Sequence, residues 1–378
     1  MKKYSILFLT VLLSYTAVFA QDTGESRDFG TITTAVPFLM IGPDARAGGM
    51  GDIGVATSPD GNAIYWNASK LAFVENDMGY NVSYVPWLKG LVDDIGLGYV
   101  SFYKQMGGDQ TIGASLRYFS LGNITFTNEE GTPMGVYKPN EWAIDLAYAR
   151  KLSDNFSAAI TGKFIYSNLT LGQSTGAGVA TNAGTSVAAD VSMYYRNIVE
   201  IGRNDVRITA GMSINNMGNK ISYTSNTQKD FIPTNMRIGL GGEMELDAYN
   251  TLSLTFELTK LLVPTPPVVD DDGNPISPYR ENDVSVFTGM LQSFYDAPFS
   301  EEMQEINIAA GVEYWYDKQF ALRGGYFYES ESKGNRQYFT LGAGLKYNVF
   351  GLDFSYLIST NPNNPLKNTL RFTLSYEL

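Results

Sequence analysis

The chain is 378 residues long, carries a formal net charge of −12 and contains neither cysteine nor histidine. That excludes thiolate and imidazole metal sites and the common histidine-based triads, and the acidic balance argues against nucleic acid as a partner. Only 17% of residues are charged while 13% are aromatic, with 25 Tyr and 21 Phe; a water-exposed surface carries more charge than this, whereas a barrel wall in lipid with aromatic girdles does not need it.

The first twenty residues begin Met1-Lys2-Lys3, run apolar from Tyr4 to Phe19 and end at Ala20. A positive start, an apolar centre and a small-residue exit predict a secretory signal peptide over 1–20, with Gln21 as the mature start. No later stretch approaches the ~20 apolar residues of a membrane helix, so a membrane-spanning protein here has to be a barrel.

Residues 28–77 do not alternate as strands do, and they form the bulk of an N-terminal segment over 21–77. They include Ala45-Arg46-Ala47-Gly48-Gly49-Met50-Gly51 and Asp60-Gly61-Asn62-Ala63-Ile64-Tyr65-Trp66-Asn67. The small residues allow close backbone contact, so this stretch is expected to fold into a barrel lumen as a plug. The positions that carry the motif are Arg46, Gly48, Gly49, Met50, Gly51, Asp60, Asn62, Trp66 and Asn67. Gly49-x-Gly51-x-x-Gly54 matches a dinucleotide fingerprint, but Pro43 and Asp44 precede it where that fingerprint needs a strand.

From residue 78 onward a period of two dominates. In the last segment Leu370, Phe372, Leu374 and Tyr376 alternate with Arg371, Thr373, Ser375 and Glu377, which puts an apolar and a polar set on opposite strand faces. The same pattern predicts about 14 strands, at 78–88, 93–105, 110–121, 140–152, 155–169, 183–196, 205–215, 233–246, 250–261, 305–317, 319–329, 336–347, 349–360 and 367–378. The fold class is therefore all-β, an antiparallel transmembrane barrel over 78–378. Most connections after even-numbered strands are short, although the one near Asn197–Asn204 is expected to be longer. Most connections after odd-numbered strands are long, at 122–139, 170–182, 216–232 and 262–304, although those after the first, eleventh and thirteenth strands are shorter. Short turns on one side and long loops on the other are the pattern of outer-membrane barrels, with the long loops extracellular.

Asp145, Lys163, Asp190, Arg207, Arg237, Glu243, Glu257, Glu313, Arg323, Lys346, Asp353 and Arg371 fall on the inward register. They are expected to keep the interior solvated or to line a selective pore. The loop 262–304 opens at Pro264-Thr265-Pro266-Pro267 and closes on an amphipathic stretch with Phe287, Met290, Leu291, Phe294 and Tyr295. Spacings of three and four place these on one helical face, able to pack on the barrel rim or to receive a partner. Asp270-Asp271-Asp272-Gly273-Asn274 suggests calcium only loosely, since a glutamate at the twelfth loop position is not properly placed, and it is expected to be a solvated acidic turn. No catalytic constellation and no cofactor site stands out.

The stretch Phe29-Gly30-Thr31-Ile32-Thr33-Thr34-Ala35-Val36-Pro37-Phe38-Leu39, then Ile41 to Gly51 and Tyr65-Trp66-Asn67, resembles the PorV (LptO) family of outer-membrane barrels of the Bacteroidota type IX secretion system, which are FadL-like in architecture. The chain departs at Asn67-Ala68-Ser69, where related barrels often carry Asn-Pro-Ala, a change that frees φ at that turn. The resemblance implies a non-enzymatic carrier. Its implied partners are a SprA/Sov-type translocon, cargo with C-terminal signal domains, a PorU-type attachment complex and outer-membrane lipid. The alternative is a FadL-like transporter of hydrophobic small molecules.

Overall fold

The computed structural model describes residues 30–88, 94–127, 132–169, 171–172, 181–202, 204–224, 229–270, 275–361 and 364–378. The expected signal peptide, residues 21–29 and the acidic turn at 271–274 lie outside these residues.

Sixteen strands occur among the described residues. The first eight are β1 (Met78–Pro86), β2 (Gly96–Gln105), β3 (Gln110–Ser120), β4 (Ile124–Thr127), β5 (Pro133–Tyr137), β6 (Asn140–Lys151), β7 (Phe156–Asn168) and β8 (Gly184–Ile201). The rest are β9 (Asn204–Gly218), β10 (Asn235–Glu245), β11 (Asn250–Leu261), β12 (Ile306–Tyr316), β13 (Phe320–Tyr328), β14 (Gln337–Tyr347), β15 (Phe350–Ser359) and β16 (Leu370–Glu377). Fourteen of them close an antiparallel barrel, with β16 returning to β1, while β4 and β5 form a separate hairpin. Closure removes every edge along the wall, which lipid requires because it cannot bond to a free peptide group.

Alternation sets the faces as expected. On β16, Arg371 and Thr373 are 4% and 1% exposed, whereas Phe372 and Leu374 are 42% and 51% exposed to the lipid side. Three departures from the sequence expectation follow from local pairing. The loop at 122–139 contains the β4–β5 hairpin. The connection expected near Asn197–Asn204 is instead an extended hairpin, in which β8 and β9 pair out to Ile201↔Asn204 and Gly202 turns at φ 73°. On the lumen side, most inward charges are buried rather than solvated, because residues 35–74 occupy the space that water would fill.

That N-terminal segment is irregular. It holds two single-turn helices, α1 (Ala45–Gly48) and α2 (Ala63–Trp66), and 3-10 turns at Pro37–Met40 and Ala68–Phe73. Asp44 caps α1 by accepting from Ala47 N–H. Ala35 to Ile41 pack with Val85, Leu97 and Phe119 at the long-loop end, and Ile64, Leu71 and Ala72 pack with Ala147 and Ala159 further along. The segment thus runs the length of the barrel before joining β1.

Candidate functional site

Two regions hold chemistry that a plain barrel does not need: the seam between the N-terminal segment and the inner wall, and the excursion between β11 and β12.

The seam is closed by hydrogen bonds from seven strands. Ala45 N–H donates to Thr373 Oγ1 at 2.9 Å on β16, and Gly51 N–H to Thr340 Oγ1 at 2.8 Å on β14. Gly54 and Val55 N–H both donate to Glu257 Oε2 on β11 at 2.9 Å. Ser101 on β2, Ser157 on β7 and Thr209 on β9 donate to the carbonyls of Gly61, Ser69 and Ala56. Ser69 N–H reaches Ser192 Oγ on β8 at 3.1 Å. Each bond satisfies a backbone group that an irregular buried segment would otherwise leave unpaired.

Arg46 is the centre of this seam. Its Nη2 lies 2.7 Å from Glu313 Oε1 and its Nη1 lies 2.7 Å from Asp60 Oδ2. Glu313 also takes Arg323 Nε at 2.7 Å, and Arg323 goes on to Asp353 at 2.6 Å. Asp52 pairs with Arg371, and Tyr338 Oη donates to Asp52 at 2.6 Å. Arg237 bonds Glu257 at 3.0 Å and stacks over the Trp66 ring at 4.8 Å. Buried charges are tolerated only when paired in this way.

The predicted motif residues converge here. Gly48 lies where a Cβ would stand 2.5 Å from Arg371, and Gly49 lies against the α carbon of Gly342. Met50 is 2% exposed, and Gly51 turns at φ 82°. Asp60 Oδ1 accepts from Asn62 N–H at 2.9 Å, and Trp66 Nε1 donates to Asp44 at 2.6 Å. Asn67 Nδ2 donates to the carbonyls of Val55 and Met193. Its Oδ1 accepts from Ser69 N–H, which caps the turn that begins at Ala68 and holds it without the proline. Gly49 to Gly54 follow α1 with no strand before them, so the glycine spacing belongs to close packing rather than to a nucleotide loop.

The wall answers with its own glycines. A Cβ on Gly211 would stand 2.0 Å from the Val55 carbonyl oxygen, and one on Gly325 would stand 2.1 Å from the Met50 carbonyl carbon. Their spacing along the chain gave no sign of this, since β9 and β13 meet the segment from different sides.

The excursion carries α3 (Val286–Gln292) and α4 (Phe299–Gln304). Ser285 caps α3 by accepting from Thr288 N–H at 3.2 Å. Of the predicted face, Phe287, Leu291, Phe294 and Tyr295 are 70%, 52%, 47% and 50% exposed. Met290, Pro266 and Pro267 are half-buried, while Gly289, Gln292 and Ser293 turn inward. The apolar face is therefore uncovered rather than packed on the rim. Phe299 and Met303, at 78% and 48% exposed, extend it. The sequence signal for α4 was Pro298 followed by two acidic residues in the first turn.

A buried ion cluster fixes the backbone beneath that face. Lys260, on the outward register of β11, lies 3.0 Å from Glu302 and 2.6 Å from Glu305. Lys333 lies 2.6 Å from Glu301 and 3.0 Å from Glu305. Glu302 accepts from the N–H groups of Asp296 and Ala297, and Asp296 accepts from Thr265 N–H at 3.1 Å. Burial pushes the Asp296 carboxyl up to about 6.

At the short-turn end a cavity of about 450 Å³ opens beneath the segment, lined by Phe73, Arg196, Arg207, Glu243, Trp315 and Asp353 among others. Near the long-loop end a cavity of about 50 Å³ lies between Trp66, Trp87, Arg237 and Phe327.

A family model described as "Type IX secretion system protein PorV" matches residues 24–268. No curated protein matches the chain. Among solved structures, the chain is similar to the toluene transporter TodX of Pseudomonas putida at 11% identity and a TM-score of 0.51, over 93% of this chain and 99% of that one. The toluene transporter TbuX of Ralstonia pickettii matches at 11% identity and a TM-score of 0.45, over 89% and 97%. A FadL homologue of Pseudomonas aeruginosa matches at 11% identity and 0.44, over 92% and 99%. The TodX likeness speaks to the fold alone.

Proposed function

The chain belongs to the PorV family of type IX secretion proteins, and we propose that it serves that system as a non-enzymatic carrier in the outer membrane. In this reading it receives cargo bearing C-terminal signal domains from a SprA/Sov-type translocon and passes it to a PorU-type attachment complex. The short turns face the periplasm and the long loops face outward. Residues 21–77 act as a plug that closes the lumen, and residues 262–304 form the docking loop.

One observation carries the proposal beyond the family. The lumen is filled by a segment bonded to the wall, while an uncovered apolar face stands on the outer excursion at Phe287, Leu291, Phe294, Tyr295 and Phe299. Large exposed aromatics held on a fixed backbone are suited to binding protein. A filled lumen is poorly suited to conduction.

The test is deletion of the gene followed by localisation of cargo. Cargo should accumulate in the periplasm, and the wild-type chain should restore export and co-purify in mild detergent with a very large barrel. Normal surface delivery without the gene would remove the carrier role.

The fold likeness to TodX gives a second reading, transport of hydrophobic small molecules. It calls for an apolar passage through the wall. Against it, the ladders between barrel strands run without a gap, broken in register only beside Asp190, where Asp190 and Lys163 bond to Asn216. Retention of a hydrocarbon ligand by the purified barrel would favour this second reading.

A further inference from the structure

The longest strand pair, β8 with β9, runs past the closed wall at the short-turn end and leaves an open edge there. The ladder of β7 with β8 stops at Phe156↔Tyr195, and Asn155 adds a last rung by bonding the Arg196 N–H and C=O. β8 nevertheless continues to Ile201, paired on its other side with β9. From Asn197 to Ile201 it therefore has a neighbour on one side only among the described residues.

Alternation in an antiparallel strand turns the backbone groups of Ile198 and Glu200 to the same side as those of Arg196, which is the open side. Asn197 Oδ1 accepts from the Ile198 N–H at 2.9 Å, an exposed local bond that an incoming strand can replace. Among the described residues, the Ile198 carbonyl and both backbone groups of Glu200 have no strand partner on that side. Barrels normally abolish such edges, and those that persist are usually blunted by lysine or proline. This one carries neither.

Its side chains are not explained by lipid. Ile198 and Ile201 are each 59% exposed, beyond the lipid-facing ring of Tyr195 on the same strand. Ile198 shares the inward register of Tyr194 and Arg196, facing away from lipid. It lines a cavity of about 320 Å³ with Asn204, Asp205, Arg207, Glu243 and Glu245. Arg207 is paired with Glu243 at 2.5 Å. Glu200, Asp205 and Glu245 have no basic side chain within salt-bridge distance among the described residues, so the inward face that Glu200 shares with β9 and β10 carries unpaired carboxylates.

We propose that the Asn197–Ile201 edge accepts an extended, lysine- or arginine-bearing segment of a periplasmic protein as an added β-strand. Strand addition draws affinity from main-chain bonds and specificity from alternate side chains. A basic residue opposite Glu200 and an apolar one opposite Ile198 would meet complementary partners. The periplasmic location rests on the orientation proposed above, whereas the edge itself does not.

The probe is a nine-residue peptide, Thr-Val-Thr-Lys-Thr-Val-Thr-Lys-Thr, which sets valine and lysine two residues apart on one strand face, fluorescently labelled and titrated against the purified full chain in detergent. Saturable binding is expected, weakened on the order of tenfold when glutamate replaces lysine in the peptide or by Glu200→Lys in the barrel. Glu200→Pro, which removes an edge donor, should abolish binding while leaving the heat-modifiable migration of the folded barrel unchanged. Equal binding of both peptides, or unaltered binding to Glu200→Pro, overturns the edge. The chain has no cysteine, so Val199→Cys is a single label site. A membrane-impermeant maleimide should reach it only after the outer membrane is permeabilised. Labelling in intact cells overturns the orientation and the periplasmic partner together, and a failed titration with correct labelling overturns the edge alone.

Discussion

Inside the barrel, Arg46, Glu313, Arg323 and Asp353 form one chain of pairs, and the backbone around them bonds to seven strands. Outside it, between β11 and β12, another ion cluster at Lys260, Glu302, Glu305 and Lys333 does the same for a helical excursion. The two differ in what they leave uncovered. The inner network leaves less, because most of the N-terminal segment meets wall and only its short-turn end borders the cavity of about 450 Å³. The outer network holds a backbone in place so that Phe287, Leu291 and Phe299 face away from the protein. Buried pairs rarely add net stability over apolar packing, and their attested use is to fix geometry. Inside, the fixed geometry holds the segment to the wall; outside, it holds the backbone beneath an exposed apolar face.

Breaking the inner network should have the largest effect. Glu313→Ala leaves Arg46 and Arg323 each short of a carboxylate at a buried position, which costs about 3–5 kcal/mol. Denaturant titration of the barrel refolded into vesicles reads that loss, and an unchanged midpoint would mean that water already reaches the pair. Next comes Gly325→Val. Its side chain would occupy the position of the Met50 backbone, so the segment must shift, at about 1–3 kcal/mol. Planar-bilayer recordings should show a larger conductance than that of the parent chain. A Gly325→Val barrel no more conductive than the parent would show that the seam can relax without opening.

Much of this was legible in the sequence. Arg371 beside Phe372 fixes the two faces of β16 before any pairing is known, and the same alternation located all fourteen barrel strands. The motif residues from Arg46 to Asn67 do meet at one seam. What stayed hidden depends on partners far along the chain. Asn197, Gly202 and Asn204 carry turn chemistry, so β8 and β9 were expected to stop short of their real ends. Gly211 and Gly325 are ordinary strand glycines until the Val55 and Met50 carbonyls are seen against them. Lys260 is legible in the same local way. After Leu254, Phe256 and Leu258, a lysine on the lipid register needs an acidic partner, and Glu301, Glu302 and Glu305 lie downstream.

The outer cluster should respond to pH more gently than the inner one responds to mutation. The Asp296 carboxyl is raised by burial to about 6, above its ordinary value near 3.8. A raised folded-state value stabilises the excursion fully below the ordinary value, and that contribution is lost as pH rises through about 6. Amide exchange over residues 286–304, corrected for its intrinsic pH dependence, should therefore be slowest near pH 4 and speed up towards pH 7. Asp296→Asn should flatten the profile. A profile equally steep in Asp296→Asn would assign the effect to another group.

The smallest effect on stability is expected where the effect on function should be greatest. Phe287 and Phe299 are 70% and 78% exposed, so Phe287→Ser with Phe299→Ser removes almost no packing and should change stability by less than about 0.5 kcal/mol. Loss of two exposed aromatic anchors from an interface can nevertheless cost about 2 kcal/mol or more each in binding. The double variant should melt as the parent does and reach the outer membrane in equal amount, yet recover less of the large translocon barrel in mild detergent. A matched pair of surface changes on the β4–β5 hairpin, such as Ile124→Ser with Val136→Ser, supplies the control, since these side chains are also exposed at the long-loop end. If both double variants lose the partner equally, docking is spread over the rim and the ion cluster under the excursion has no special role in presentation. If only the first does, docking is centred on the aromatic face that the Lys260 and Lys333 cluster underlies.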